Sequence, residues 1–293
     1  METFNVPSPL NVTNSDLWHG AWGPVTATLD WCEANYQFSH YIAEMANTFS
    51  NVVSIAFAVH AARHTVKESL PSRYLAGCLG FALVGLGSFA FHATLLYEAQ
   101  LADELPMIYL ATYSTFMMFD TGPGFTLWSR RAFLLGSLAT GFAAFFTWSY
   151  SVYRNPVYHQ AVFASLVFAV TFRTMYLLHW SEHSSRIPLA TRAKIGNMFS
   201  AGVGFFALGF FIWNLDNIFC GVLTKWKVDF GWPLAFLLEG HSWWHVLTGL
   251  GTYLMLMGKT YWTLCIKDDP SRYGVEHSMG LPHIIRLPNE KQY

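Results

Sequence analysis

Charge is scarce in this 293-residue chain. Only 12% of its residues are Asp, Glu, Lys or Arg, roughly half of what a soluble domain carries. Neither sign is in excess: 17 Lys+Arg against 18 Asp+Glu leave a net charge of −1, so no global basic patch awaits nucleic acid. Cysteine is sparse too. Four cysteines with no CxxC pair exclude a disulfide-scaffold protein and a zinc ribbon. Low-complexity disorder is excluded by 12 Trp, 14 Tyr and 25 Phe. What is abundant is apolar surface, at 53% of residues and a mean hydropathy of +0.29. The composition is that of an integral membrane protein.

A helix needs about 20 apolar residues to cross a bilayer core. Uncharged runs of 24, 22, 18, 21 and 19 residues separate Arg73 from Glu98, Arg131 from Arg154, Arg154 from Arg173, Lys194 from Asp216, and Glu239 from Lys259. Two weaker stretches complete the set: 41–62, interrupted by Glu44, Asn47 and Asn51, and 105–128, interrupted by Asp120. The expected fold is therefore all-α, a seven-transmembrane helix bundle. Pro106 suits the first turn of the third helix. A signal peptide in place of the first span is disfavoured, because no basic n-region precedes the apolar run.

Lys and Arg set the orientation. With the C-terminus inside, fourteen of them fall on inner segments, while Arg154, Lys225 and Lys227 stay outside. The N-terminus is accordingly expected in the lumen and the C-terminus in the cytosol. Residues 1–40 form a lumenal segment, 41–265 the seven-helix transmembrane domain, and 266–293 a cytosolic tail, read as mobile from about Asp268 onward by its prolines and polarity. Asn11-Val12-Thr13 is a glycosylation sequon on the lumenal side. Cys32 and Cys220 both face that side, where an oxidising lumen permits a bridge; two unpaired buried thiols are the alternative.

Ionisable groups inside spans are costly and point to a site. Ser88 and His92 lie four residues apart on one face of the second span, and His241 and His245 open the seventh at the same spacing. Asp103 precedes the third. Given the alternating span directions, His92, Asp103, His241 and His245 share one depth near the lumenal end. Three imidazoles at one level suit a catalytic zinc site that leaves a fourth position for water; the bland reading is hydrogen-bonded packing histidines. The zincin motif is absent, since Ser242 stands where its Glu would be, so the general base must come from another helix. Asp103 is the candidate, with Glu98 and Glu239, in expected loops, less attractive. The other nine histidines, among them His60, His64, His179, His183, His277 and His283, look unremarkable at span ends, in loops or in the tail.

A second cluster, Asp30-Trp31-Cys32-Glu33-Ala34-Asn35 followed by Glu44, offers the hard oxygen ligands that Ca²⁺ accepts. It is no EF-hand loop, and an acidic segment alone is equally a solvated face. Glu44 tips the reading, because a carboxylate within a span must be neutralised by something.

Several separated stretches carry a resemblance in the same order. They are Trp22-Gly23-Pro24 with Thr28-Leu29-Asp30-Trp31-Cys32-Glu33; Tyr41-Ile42-Ala43-Glu44 with Asn47 and Ser50-Asn51; and Gly85-Leu86-Gly87-Ser88 with Phe91-His92. Gln100-Leu101 runs on to Asp103-Glu104-Leu105-Pro106-Met107, and the last are Trp213-Asn214-Leu215-Asp216-Asn217-Ile218-Phe219-Cys220 and His241-Ser242-Trp243-Trp244-His245. Together they resemble the alkaline ceramidases, integral-membrane amidases of the superfamily that also holds the adiponectin receptors.

The resemblance implies that His92, His241 and His245 bind Zn²⁺ beside Asp103 and Ser88. It implies a structural or regulatory Ca²⁺ site at Asp30, Trp31 (through its carbonyl), Glu33, Asn35 and Glu44, and a disulfide matching Cys32 and Cys220. The implied activity is hydrolysis of a ceramide-type lipid to a sphingoid base and a fatty acid in endoplasmic reticulum or Golgi membranes, with no protein partner. The alternative is a lipid-sensing receptor of the adiponectin-receptor type, whose opposite orientation the charge bias disfavours. A transporter lacks visible inverted repeats.

Overall fold

A computed structural model describes residues 19–288; the Asn11 sequon lies outside them. A two-residue ribbon opens the chain, β1 (His19–Gly20) against β2 (Gly23–Pro24). The helices are α1 (Met45–Lys67), α2 (Ser72–Thr94), α3 (Tyr97–Phe119), α4 (Arg130–Tyr153), α5 (Pro156–His179), the single turn α6 (Glu182–Ser185), α7 (Leu189–Ile218), α8 (Cys220–Phe230) and α9 (Gly240–Lys267). A 3-10 turn at Leu234–Leu238 precedes α9, another at Pro270–Arg272 follows it, and β3 (Tyr273–Ser278) and β4 (Leu281–Arg286) close the chain as an antiparallel hairpin.

Four helices, α2, α4, α5 and α7, are long and apolar enough to cross a membrane, and the chain is a predominantly helical, multi-pass membrane protein. Helices α1, α3 and α9 turn polar residues inward. Helix α1 buries Asn47, Thr48, Ser50, Asn51 and Ser54 while exposing Phe49, Val52, Val59 and Val66. That reverses the usual arrangement of a water-facing helix. Large apolar side chains also line the outside of α4, including Phe133, Leu134, Leu138, Phe145 and Trp148.

Two close helix approaches set the interior. At Gly87 of α2 a Cβ would stand 1.8 Å from the Ala102 carbonyl oxygen of α3, so only glycine admits this approach. Pro106 lacks the N–H that would otherwise bond that carbonyl four residues back. Helices α7 and α9 cross at Gly202 and Gly251, where a Cβ on either would meet the other's carbonyl at 2.7 Å.

The structure moves several expected boundaries. The third long helix begins at Tyr97, eight residues before the apolar run, and Pro106 sits inside it rather than in its first turn. Its first two turns are polar because they face protein, which hydropathy does not register. Glu98 is therefore an exposed helical residue, and Glu239 is the buried residue that precedes α9. Within the segment read as a mobile tail, residues 273–286 instead form the β3–β4 hairpin, with Pro282, His283 and Ile284 buried against the bundle. Pro282 is accommodated because it stands next to the hairpin turn.

Candidate active site and metal centres

The end of α2 and the start of α9 meet beneath the N-terminal segment. Leu95 takes a left-handed conformation (φ 51°) that ends α2, and its carbonyl accepts the N–H groups of Thr26 and Ala27 at 3.2 and 3.0 Å. Ala43 and Glu44 donate to the Ala93 and His92 carbonyls, each at 3.0 Å. Asp216 of α7 accepts the Gly240 N–H at 3.0 Å, capping α9 from a neighbouring helix. These ties fix both helix ends that carry histidines.

His92, His241 and His245 form a buried group in which one ligand nitrogen from each lies within 4.8 Å of the others. Their ring centroids are 4.6 to 5.0 Å apart. The start of α1 determines which nitrogen two of the rings present. The Glu44 carboxylate bonds His92 Nδ1. His245 Nδ1 faces the Asn47 carbonyl at 3.1 Å and Ser50 Oγ at 2.8 Å. A carbonyl only accepts, so Nδ1 carries the proton and Nε2 keeps its lone pair. His241 Nδ1 is buried with no hydrogen-bond partner among the described residues. An orphaned imidazole nitrogen beside two oriented ones fits a metal ion bound by three nitrogens.

Ser88 lies between this group and Asp103. Its Oγ is 3.4 Å from His245 Nε2, and it lies beside the half-buried Asp103 carboxylate. The close packing at Gly87 brings the two side chains together. Glu98 points away, and Glu104 belongs to a separate network in which it accepts from Tyr150 Oη and Gln100 Nε2.

The residues read as calcium ligands surround the start of α1. Glu33 accepts the Ala46 and Asn47 N–H groups at 2.6 and 2.8 Å, capping α1 from the preceding loop. Asp30 accepts the Trp31 N–H. Asn35 Oδ1 and Glu44 Oε1 are buried without hydrogen-bond partners among the described residues. Burial pushes the Glu33 carboxyl from 4.5 up to about 7, a rise to which the charge of Glu44 adds. Clustered carboxylates with orphaned oxygens fit a hard cation. Glu44 touches both groups, one oxygen toward His92 and the other unpartnered.

Cys32 and Cys220 are joined by a disulfide with Cα atoms 5.4 Å apart, and Cys78 and Cys265 are free and buried. The bridge holds the loop of Asp30 and Glu33 to the start of α8. Lys227 reinforces it, donating to the Cys32 carbonyl at 3.3 Å and pairing with Glu239 at 2.6 Å. Burial nonetheless pushes the Glu239 carboxyl up to about 8.

Sequence reasoning missed several members of the site. The Trp31 ring stacks on His241 at 4.0 Å between centroids and also approaches His92. Asn47 and Asn51 were visible as interruptions of a span and, with Ser50, among the residues that carry the resemblance, but none was given a role at the site. Their i, i+3, i+4 spacing, continued at Ser54, was the available signal of an inward polar stripe.

The model of the family described as Ceramidase matches residues 23–285, nearly the whole described chain. The chain belongs to the ceramidase family. Alkaline ceramidase 3 of Mus musculus is 37% identical over 277 residues, covering 93% of this chain and 97% of that protein. Alkaline ceramidase YPC1 of Saccharomyces cerevisiae is 35% identical over 250 residues, covering 81% and 77%. The alkaline ceramidase of Arabidopsis thaliana is 26% identical over 239 residues, covering 79% and 82%. As a ceramidase the chain is a hydrolase, and the candidate zinc, calcium and disulfide residues all lie within the matched region.

Proposed function

We propose that this ceramidase hydrolyses the amide bond of ceramide, dihydroceramide or phytoceramide within the membrane, using a Zn²⁺ held by His92, His241 and His245. The observation that carries the reading is the convergence of three buried imidazoles on a site flanked by Ser88 and Asp103. Bound there, zinc would supply Lewis acidity, acidifying a water molecule and polarising the amide carbonyl.

The chain's own residues do the rest. Asp103 takes the proton of the attacking water and later returns it to the departing amine, so the products are a sphingoid base and a fatty acid. Once Asp103 has taken the water proton, the Ser88 hydroxyl beside it is free to donate its single hydrogen to the carbonyl oxygen as negative charge develops there. Glu44 and the Asn47 carbonyl fix the tautomers of His92 and His245. The outward apolar surface keeps both lipid tails in hydrocarbon while the amide reaches the polar interior. The test is release of both products from a long-chain phytoceramide by detergent-purified protein, with and without a zinc chelator. Equal release that is lost on chelation supports the reading; undiminished release from zinc-free protein overturns it.

The same proposal includes seven membrane-crossing helices, a lumenal N-terminal segment (1–40), a catalytic domain (41–265), a cytosolic C-terminal segment (266–293), and residence in endoplasmic reticulum or Golgi membranes. It places Ca²⁺ at Asp30, the Trp31 carbonyl, Glu33, Asn35 and Glu44. Without calcium, the folded protein holds a proton on Glu33 that the unfolded chain releases. Stability therefore falls as pH rises from about 4.5 to about 7. Calcium should raise the melting temperature most above that window. A melting temperature indifferent to calcium would remove the site from the proposal.

A further inference from the structure

We infer that His60, His64 and His283 form a second metal site, for a divalent transition ion of the zinc class, that fastens the C-terminal hairpin to the end of α1. One ligand nitrogen from each of the three rings lies within 4.8 Å of the others. The His64 and His283 rings pack closely, 3.6 Å between centroids and tilted by 31°, with His60 4.5 Å from His64. His64 and His283 are 9% and 3% exposed.

Packing alone leaves this arrangement unexplained. His60 Nε2, His64 Nδ1 and His283 Nδ1 are all buried without a hydrogen-bond partner among the described residues. Buried polar atoms in native structures are nearly always satisfied, so three orphans in one cluster call for a missing partner. The neighbouring groups prepare the rings to bind one. Tyr253 Oη donates to the Pro282 carbonyl at 2.6 Å, so toward His60 Nδ1, 2.9 Å away, it can only accept. His60 therefore carries its proton on Nδ1 and presents the Nε2 lone pair. The Leu281 carbonyl lies beside the His283 ring and the Ser278 carbonyl beside His60. Carbonyl and hydroxyl partners on the far nitrogen are the usual supports of a metal-bound histidine.

The donor set selects the ion. Three imidazoles and no carboxylate within the cluster suit zinc and its neighbours and disfavour Ca²⁺ and Mg²⁺, which prefer oxygen. Arg63 and Lys67 are near the rings, and Glu68 and Glu276 balance them. The hairpin already touches the end of α1 through the Arg286 N–H to Glu68 at 2.9 Å and the Arg286 guanidinium to the Ser69 carbonyl at 2.9 Å. An ion on His60, His64 and His283 would lock that contact, since two ligands come from the helix and one from β4.

The experiment uses full-length protein in detergent, stripped with a chelator and titrated with Zn²⁺. Wild type should bind one more zinc per chain than His283→Asn and one more than His64→Gln. Hydrogen exchange locates the effect without relying on either variant. In wild type, Zn²⁺ should slow exchange of the Tyr273–Ser278 and Leu281–Arg286 amides, by about 100-fold at a concentration about 100 times the dissociation constant. Equal zinc counts in wild type and both folded variants, or hairpin exchange that zinc leaves unmoved in wild type, would overturn the proposal. Neither result bears on the His92 site, whose zinc is counted separately by His241→Asn.

Discussion

The protein builds nearly the same constellation twice. Each cluster takes two histidines four residues apart on a helix and a third from another element: His241 and His245 with His92, and His60 and His64 with His283. Helix α1 serves both. Its first turns supply the partners of His245, and its last turns carry His60 and His64. Asn47 and His60 are 13 residues apart in sequence, a rise of about 20 Å along the helix. The neighbours differ. The first cluster has a hydroxyl and a carboxylate beside it and is held by helix ends pinned from several sides. The second has the Tyr253 phenol and backbone carbonyls beside its rings, and its third histidine rides on a hairpin. In the proposed reading, three histidines make a place for a metal, and a proton carrier beside them makes a place for a reaction.

The sharpest way to break that comparison is to remove one histidine from each cluster. His241→Ala should abolish bound zinc at the first site and turnover with it, because one lost ligand undoes the group. His64→Ala should change turnover less than about tenfold, within the range of mutations that only affect stability. Comparable loss in both, measured as product release at saturating zinc, would mean that the clusters act as one unit. Asp103→Asn comes next. It should lower turnover by about 10²- to 10⁴-fold while leaving the zinc count intact, since it removes the proton acceptor and no ligand. Wild-type turnover in that variant would move the base elsewhere.

A smaller effect tests the partners rather than the ligands. Glu44→Gln keeps the shape of the side chain that bonds His92 Nδ1 and removes its charge. Loss of such a partner weakens zinc by about 10- to 100-fold. The same variant should also reduce the calcium-dependent rise in melting temperature, because Glu44 contributes to both groups. A zinc affinity that is unchanged while the calcium response is lost would confine Glu44 to the second role.

How far the sequence discloses these sites follows from what periodicity can register. His241 and His245 stand out because a helical spacing puts them at the start of an apolar run, and alternating span directions bring His92 and Asp103 to their level. His60 and His64 have the same spacing, yet their partner His283 arrives through a hairpin. That hairpin's sequence, with Pro282 and scattered polar residues, reads as a tail. Its burial comes from packing against residues distant in sequence: Tyr273 and Ile284 join a core cluster with Leu70, Tyr74 and Tyr261, and the Arg286 N–H meets Glu68, 218 residues away, at the end of α1. The start of α3 is obscured for a related reason: Gln100, Asp103 and Glu104 are polar because they face protein. Pro106 then looks like a helix start when it is an interior residue that frees the Ala102 carbonyl for Gly87. The disulfide pairing of Cys32 with Cys220 was one of two open readings until the fold placed the two residues together.

Tyr253→Phe is the mildest change that separates the clusters. Tyr253 is fully buried, and its hydroxyl holds both the Pro282 carbonyl and His60 Nδ1. Phenylalanine keeps the packing but leaves two buried polar groups unanswered, at about 1–3 kcal/mol each. Part of that is recovered if the hairpin lifts and admits water. The amides of Tyr273–Ser278 and Leu281–Arg286 should then exchange about tenfold faster or more, with zinc restoring part of the protection. Turnover should change little, because Tyr253 stands two turns beyond His245 along α9 and touches none of the groups around His92. If turnover instead falls as far as in Asp103→Asn, α1 must transmit the state of one end to the other. The hairpin would then govern the reaction rather than merely close the bundle.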